Sequence, residues 1–209
     1  MKYDVKGIRD IKNISHISRY IGGKAVVEEK IDGILVIITN RNGYWDIFSK
    51  AGLPIIKSRM GDSEKKEIMK EFNILKKRLP NGEELIIYAE YLPREKPDYL
   101  HTEYYDKYKG KFYLLDVYKG GRFLSLEEKS RYSIYIELPR PKVFEIYSSF
   151  GVNQLKNIIL KLYKNRYFSE ISINGQPEGV VIKNYDPSLK AFKIRLREDF
   201  EWIKRVLKR

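Results

Sequence analysis

The stretch EEKIDG, residues 28–33, places a single lysine, Lys30, among three carboxylates and ends in a glycine. It lies between two apolar runs, AVV and ILVIIT, so Lys30 falls at the end of a predicted strand. A lysine amine is a nucleophile only without its proton, and neighbouring cations or partial desolvation favour that uncharged form. Lys30 is therefore either a reactive amine held in a pocket or a solvated charge at a strand end.

Further polar residues occupy strand-like segments downstream of Lys30. Four such segments follow in chain order: IIYAEYL (86–92), FYLLDVY (112–118), PEGVVIK (177–183) and FKIR (192–195). In the last segment, the alternation of a strand places Lys193 and Arg195 on one side. Structural interpretations stay open: Glu90 as the buried partner of an arginine, Asp116 as a loop cap, and the FKIR cations as a solvent-facing row.

Composition narrows the classes of function. The 209-residue chain has a formal net charge of +13, which predicts an anionic partner, most simply nucleic acid; compositional bias is the alternative. The absence of cysteine excludes a disulfide framework, a thiolate zinc site and a cysteine nucleophile. No apolar run is long enough for a membrane span and the N-terminus does not resemble a signal peptide, so we expect a cytoplasmic protein without membrane contact.

The predicted elements form an α+β protein with largely antiparallel sheets flanked by helices, in one domain over residues 1–209. Strands are predicted at 24–30, 33–39, 84–92, 111–118, 142–147, 178–185 and 191–196, and NRNG (40–43) predicts a hairpin. Helices are predicted over residues 8–17, about 63–79, around 155–162, and in the basic tail 199–209. A further short helix is predicted to begin at the capping box formed by Ser125 and Glu128.

The order of these segments resembles the covalent nucleotidyltransferase superfamily, which comprises ATP-dependent DNA ligases, RNA ligases and mRNA capping enzymes. KIDG is similar to its K-x-D-G nucleotidylation motif, and PEGVVIK is similar to its E-G-x-x-x-K motif. FSKAG (48–52), IIYAEYL, FYLLDVY and FKIR resemble the other motifs, so six segments over residues 28–195 stand in the superfamily's order. The resemblance implies the superfamily's catalytic-domain fold, with ATP as the nucleotide.

By this resemblance, Lys30 would attack the α-phosphate of ATP, giving lysyl-AMP and pyrophosphate. Lys183 and Lys193 would line the α-phosphate and favour the uncharged Lys30 amine. Asp32 would act near the metal or near the attacking 3′-OH in the sealing step.

The resemblance also implies Mg²⁺, with Mn²⁺ as an alternative, held by Glu90 and Glu178. The acid at Glu28 or Glu29 would contact the adenine amino group, directly or through its backbone. Gly33 would let the backbone turn beside the nucleotide sugar. The remaining implied nucleotide contacts are Ile31, Lys50, Glu90, Val181 and Arg195.

Two positions depart from the pattern of many relatives. An aromatic residue that stacks on adenine commonly precedes the aspartate of LLD, where this chain has Leu115. Aliphatic groups, with Val181 opposite, would then hold the base, or else Phe112 or Tyr113. DNA ligases usually carry an arginine two residues after the motif glycine, where this chain has Leu35. KIDGILV is instead similar to the phage-type RNA ligases, whose motif is K-x-D-G-x-L.

The resulting prediction is an ATP-dependent RNA ligase that adenylates a 5′-phosphate end and joins it to a 3′-OH. RNA is the expected partner, DNA is an alternative, and the protein would be a monomer or a homodimer. Too few residues follow Arg195 for the OB-fold domain of DNA ligases and capping enzymes, so we expect none. Pyrophosphate would then be oriented by basic residues elsewhere: Arg19, Lys24, Lys50 or Arg59. The alternatives are a minimal DNA ligase that seals nicks, a capping guanylyltransferase, a non-catalytic nucleic-acid-binding module with the same fold, and an unrelated basic β-rich binding protein.

Overall fold

The computed structural model describes residues 9–10, 22–80, 82–184 and 191–196. These residues form two compact units, each with its own sheet. Unit I comprises residues 32–80, 82–100 and 105–141, and unit II comprises 9–10, 22–31, 101–104, 142–184 and 191–196. The boundary divides the KIDG motif, because Ile31 belongs to unit II and Asp32 to unit I. The prediction of a single domain stays a prediction.

The described residues contain ten strands and three α-helices. The strands are β1 (Arg9–Asp10), β2 (Ala25–Lys30), β3 (Ile34–Arg41), β4 (Tyr44–Ser49), β5 (Leu85–Leu92), β6 (Lys111–Lys119), β7 (Arg122–Phe123), β8 (Val143–Tyr147), β9 (Gly179–Asn184) and β10 (Phe192–Arg195). The helices are α1 (Asp62–Leu75), α2 (Leu126–Tyr135) and α3 (Val152–Tyr163). The predicted α+β class is confirmed, and none of the described helices is long and apolar enough to cross a membrane.

Two predicted helices fall mostly or wholly outside the described residues. The basic tail 199–209 lies outside them altogether, and of the segment 8–17 only Arg9–Asp10 is described. For these two residues the helix prediction is wrong, because they form β1 and pair in parallel with Phe192 and Lys193 of β10. Pairing with a distant strand overrides the local isoleucine spacing at this point.

Unit I is built on an antiparallel sheet in the order β4-β3-β5-β6-β7. Asn42 and Gly43 both have positive φ, at 52° and 81°, so they close the predicted β3–β4 hairpin without splaying the strands. Alternate apolar residues of β3 and β5 turn one face of the sheet to the core, where Phe72 of α1 packs.

Unit II is built on a sheet in the order β1-β10-β9-β2-β8, antiparallel except for the β1–β10 pair. One face of this sheet and the apolar side of α3 form a second core. Its buried members include Ala25, Val27, Val180, Ile182 and Ile194 from the strands, and Leu155, Ile158, Ile159 and Leu162 from the helix. Since side chains alternate along a strand, the intervening residues of β2, β9 and β10 lie on the other face.

Candidate active site

The face of the unit II sheet that points away from α3 carries six of the predicted site residues. On this face, Lys30 of β2 pairs with Gly179 of β9, which pairs with Arg195 of β10. Two residues away, Glu28 pairs with Val181, which pairs with Lys193, and Lys183 of β9 pairs with Val26 of β2. Directly paired residues of antiparallel strands have their side chains on the same face, so four cations and one carboxylate lie together here. An excess of positive charge on one face suits the phosphates of a nucleotide.

Lys30 is a mostly buried amine in contact with a carboxylate. Its Nζ contacts Glu178 Oε2 and also donates to the Ile31 carbonyl oxygen at 3.3 Å. The Lys30 and Glu178 side chains are 16% and 9% exposed. The contact arises because Glu178 immediately precedes Gly179, the residue of β9 that pairs with Lys30. Lys30 is therefore not a solvated charge at a strand end.

A second ion pair on the same face joins Lys183 to Glu28. Lys183 Nζ lies 2.7 Å from Glu28 Oε2, and the side chains are 12% and 3% exposed. The two residues are diagonal neighbours across β2 and β9, since Lys183 pairs with Val26, two residues before Glu28. A buried charge is tolerated only when it is paired, so each of these residues fixes the position of the other.

Gly179 is required by the close approach of β10. A Cβ at this position would lie 2.0 Å from the Ile194 carbonyl oxygen and 2.9 Å from Arg195 Cα. Only glycine allows β10 to pair with β9 at this distance. The glycine that follows Glu178 therefore brings the cations of β10 beside those of β9.

In unit I, Gly33 packs directly against β5. A Cβ on Gly33 would lie 2.6 Å from the Tyr91 carbonyl oxygen and 2.8 Å from Glu90 Cγ. The Gly33 N–H donates to Glu90 Oε1 at 3.1 Å. The φ of Gly33 lies outside the left-handed region, so the glycine serves close packing rather than a left-handed turn.

The predicted carboxylates of unit I are both buried. Asp32 and Glu90 are each less than one tenth exposed. Glu90 pairs across the sheet with Leu35 of β3 on one side and with Tyr113 of β6 on the other. Glu90 thus links the end of the KIDG motif to the middle of the sheet. Of the two predicted metal ligands, Glu90 belongs to unit I and Glu178 to unit II. The described residues contain no cluster of three or more histidine or acidic side chains suited to a metal ion.

Asp116 lies at a bulge that a buried lysine supports. The β5–β6 pairing shifts so that Tyr88 opposes Asp116 and Ala89 opposes Leu114, which leaves Leu115 as the extra residue. Lys129 Nζ donates to the Leu115 carbonyl oxygen at 3.0 Å and lies 3.6 Å from Asp116 Oδ1. Sequence reasoning missed Lys129, because its burial is apparent only in the structure, where Lys129 and Ser133, one helical turn apart on α2, are both buried.

Glu29 points away from Lys30, towards the α3 face of the sheet. Its backbone N–H donates to the Lys142 carbonyl oxygen at 2.8 Å, and its carboxyl group hydrogen-bonds to the Ser169 side chain. Burial raises the pKa of Glu29 to about 7, against the lowering effects of Ser169 and Lys142. Of the two acids predicted to contact adenine, Glu28 alone shares the face of Lys30. Nothing in the local sequence identifies Ser169 as a partner.

The other predicted contacts differ in their exposure. Ile31 is buried, while Lys24, Lys50 and Arg59 are exposed. Arg19 lies outside the described residues. The structure does not distinguish among these cations as contacts for pyrophosphate.

Comparison with known proteins identifies one family and several similar folds. The family model described as RNA ligase matches residues 23–205. No curated protein matches the chain significantly. Among solved structures, a putative ATP-dependent DNA ligase from Aquifex aeolicus is 21% identical with a TM-score of 0.60; the match covers 89% of this chain and 48% of that one.

Two RNA ligase structures are similar to the same extent. An archaeal ATP-dependent RNA ligase is 19% identical with a TM-score of 0.59, over 89% of this chain and 46% of that one. A mutant of the Naegleria gruberi RNA ligase, with ATP and Mn, is 15% identical with a TM-score of 0.57, over 98% and 58%. The chain thus spans about half the length of these proteins. The likeness confirms the nucleotidyltransferase fold.

Proposed function

This chain belongs to the RNA ligase family, and on that premise we propose that it is an ATP-dependent RNA ligase that works through a lysyl-AMP intermediate. One observation carries the proposal: Lys30, in contact with Glu178, shares a sheet face with the cations Lys183, Lys193 and Arg195. A nucleophilic amine beside several cations suits attack on a phosphate. A general RNA-binding surface does not need a mostly buried, paired lysine.

In the first reaction, Lys30 Nζ attacks the α-phosphorus of ATP. A nitrogen–phosphorus bond forms, the bond to the β-phosphate oxygen breaks, and pyrophosphate leaves. The amine must lose its proton before it attacks, and Glu178 Oε2 is the base in contact with it. Lys183, Lys193 and Arg195 would stabilise the charge that develops on the phosphate oxygens.

The carboxylate of Glu178 also fits a divalent cation, because Mg²⁺ and Mn²⁺ prefer oxygen ligands. Such an ion, when bound, supplies charge neutralisation for the phosphates of the nucleotide. A metal-binding role for Glu90 stays a prediction, since one of its oxygens already accepts the Gly33 N–H.

In the later reactions, an oxygen of the RNA 5′-phosphate attacks the AMP phosphorus, and Lys30 leaves as the nitrogen–phosphorus bond breaks. The RNA 3′-OH then attacks the activated 5′-phosphate, and AMP leaves. We propose Asp32 as the carboxylate near that hydroxyl. The net charge of +13 supports a polyanionic substrate, whose phosphates such a protein would bind with little dependence on sequence.

The test is transfer of label from ATP labelled in the α-phosphate, in the presence of magnesium, followed by a denaturing gel. We expect a stable label on the wild type and on Lys66→Ala, a control that removes an exposed lysine of α1, but none on Lys30→Ala. A label that persists on Lys30→Ala would place the nucleophile elsewhere. If no protein is labelled, even after pyrophosphate has removed AMP already bound, the chain is a binding module.

A minimal DNA ligase is the second candidate, because the similar Aquifex aeolicus structure is described as a putative ATP-dependent DNA ligase. Nicked duplexes of RNA and of DNA, each with a 5′-phosphate and a 3′-OH, distinguish the two. We expect sealing of the RNA nick at the higher rate. Faster sealing of the DNA nick would reverse the assignment of substrate and leave the Lys30 chemistry intact.

A further inference from the structure

Glu29 has an environment that the adenylylation chemistry does not explain. It is 3% exposed, it lies on the same face of β2 as Val27, and its strand partner is Val180; both valines belong to the core of unit II. A carboxyl group in such surroundings costs free energy unless it is hydrogen-bonded. The next residue in the chain is the proposed nucleophile, Lys30, so this unfavourable burial occurs beside the proposed adenylylation site.

The hydrogen bonds of Ser169 show how the Glu29 carboxylate is held. Ser169 is fully buried, and its Oγ accepts the N–H groups of Ile171 and Ser172 at 3.3 and 3.1 Å. A serine hydroxyl has two acceptor positions and one proton. With both acceptor positions occupied, its proton is donated to Glu29.

Ser169 also begins a loop, residues 169–178, that ends at Glu178. The loop is closed on itself, because the Ser169 N–H donates to the Gly175 carbonyl oxygen at 2.9 Å and Ser172 Oγ donates to that of Gln176 at 2.7 Å. Beyond Pro177, the carbonyl oxygen of Glu178 accepts the Leu196 N–H at 2.9 Å. Ser169 and Glu178 are thus the two ends of one hydrogen-bonded loop.

These contacts form a closed ring within unit II: Glu29 adjoins Lys30, Lys30 contacts Glu178, and the loop returns from Glu178 to Ser169 and Glu29. We propose that Glu29 is a positioning residue that, through Ser169, holds the loop 169–178 and thereby the Glu178 carboxylate against Lys30. The inference rests on the proposed function, since Lys30 and Glu178 are its reacting pair.

The surrounding charges support a specific role for the Glu29–Ser169 bond. Lys142 and Glu170 are the charged groups that act on Glu29, and they are joined to each other by an ion pair at 2.5 Å. Because Lys142 already has this partner, it does not compensate Glu29 fully. The hydroxyl of Ser169 is the hydrogen-bond donor that remains to orient the carboxylate.

The test compares Glu29→Gln and Ser169→Ala with two matched controls in unit I. Glu71→Gln alters a half-buried acid whose pKa is also raised by burial, and Ser133→Ala removes a buried hydroxyl that donates to the Leu138 carbonyl oxygen. We expect Glu29→Gln and Ser169→Ala to lower the single-turnover rate of adenylylation at saturating ATP by roughly 10-fold or more, with the half-saturating ATP concentration changed less than about 3-fold. The controls should stay within about 2-fold of the wild type.

The rate of the double variant and the folded fraction of each variant distinguish a positioning role from a general loss of stability. Since both residues act through one bond, Glu29→Gln with Ser169→Ala should be no slower than the slower single variant. Glu29→Gln should melt no lower than the wild type at pH 8. Rates equal to those of the controls, additive losses, or losses in proportion to unfolding would overturn the proposal.

Amide hydrogen exchange provides a readout that does not need ATP. In both test variants, the Gly175 N–H and the Leu196 N–H bonded to Glu178 should exchange at least roughly 5-fold faster than in the controls. Unchanged exchange would overturn the positioning role. Faster exchange in a protein whose wild type takes no label would support positioning while rejecting the ligase function.

Discussion

Glu28 and Glu29 are consecutive residues of β2 whose carboxylates lie on opposite faces of the unit II sheet, one paired with Lys183 and the other bonded to Ser169. The first lies among the cations proposed to bind ATP. The second lies against the apolar core. Two identical side chains therefore contribute to stability in opposite ways, and substitutions at the two positions should be distinguishable.

Substituting Glu28 should destabilise the protein. Glu28→Gln leaves the buried Lys183 ammonium opposite a neutral amide, and we expect the free energy of unfolding to fall by about 2–3 kcal/mol. Urea denaturation at pH 7.5 measures the change. The matched control is Glu83→Gln, which alters an ion pair with Lys119 at 2.8 Å whose side chains are 41% and 43% exposed. It should cost less than about 1 kcal/mol. Equal losses in the two variants would show that burial of the Lys183 pair is irrelevant.

Substituting Glu29 should change how stability depends on pH. The raised pKa means that folded Glu29 keeps its proton up to about pH 7, whereas the unfolded chain releases it near 4.5. Its favourable contribution is therefore present below pH 4.5 and is lost as the pH rises to 7. Relative to the wild type, Glu29→Gln should gain about 3 kcal/mol in free energy of unfolding between pH 4.5 and pH 8. Urea denaturation across this range tests it, and a difference that stays constant with pH would contradict it.

Substituting Gly179 should separate β10 from β9. Gly179→Ala places a methyl group 2.0 Å from the Ile194 carbonyl oxygen, so we expect a loss of at least about 2 kcal/mol in free energy of unfolding. Adenylylation should fall as well, because Lys193 and Arg195 are displaced. The control is Gly61→Ala, where the nearest atom to the new Cβ is 3.7 Å away. Thermal melting of both variants decides the matter; a Gly179→Ala protein as stable as Gly61→Ala would disprove the close approach.

Substituting Lys129 should weaken the bulge in β6. Lys129→Met keeps the length of the side chain but removes the donor to the Leu115 carbonyl oxygen and the charge beside Asp116. Loss of this part-buried hydrogen bond and of the charge beside Asp116 should cost about 1–3 kcal/mol. Chemical denaturation of this variant should show that loss, whereas Lys111→Met, at an exposed position of the same strand, should stay within about 0.5 kcal/mol of the wild type. A Lys129→Met protein with wild-type stability would mean that water replaces the ammonium.

Features set by local periodicity could be predicted from the sequence. The period of two in FKIR was enough to place Lys193 and Arg195 on one face, and NRNG was enough to predict the β3–β4 hairpin. Features set by a distant strand or loop could not be predicted. The partner of Glu29 is Ser169, far along the chain, and Lys129 bonds to the carbonyl oxygen of Leu115, which is the extra residue of the β5–β6 bulge.

Gly33 and Gly179 show the same difference between what the sequence predicts and what it does not. Their place in the motifs was apparent from the sequence, whereas the reason for a glycine was not. At Gly33 and at Gly179 it is a backbone carbonyl oxygen of another strand that leaves no room for a Cβ. Such an approach depends on tertiary pairing, which local sequence does not encode.

Because one face of β2 is charged and the other is apolar, pairing of β2 in the wrong register is disfavoured. A slip of one residue against β9 would turn Glu28 and Lys30 into the apolar core and bring Ala25 and Val27 to the charged face. Such a misregistered sheet would bury several uncompensated charges at once, so it is a poor competitor during folding. The residues proposed to bind a nucleotide therefore also help to specify the correct register of β2 in the sheet.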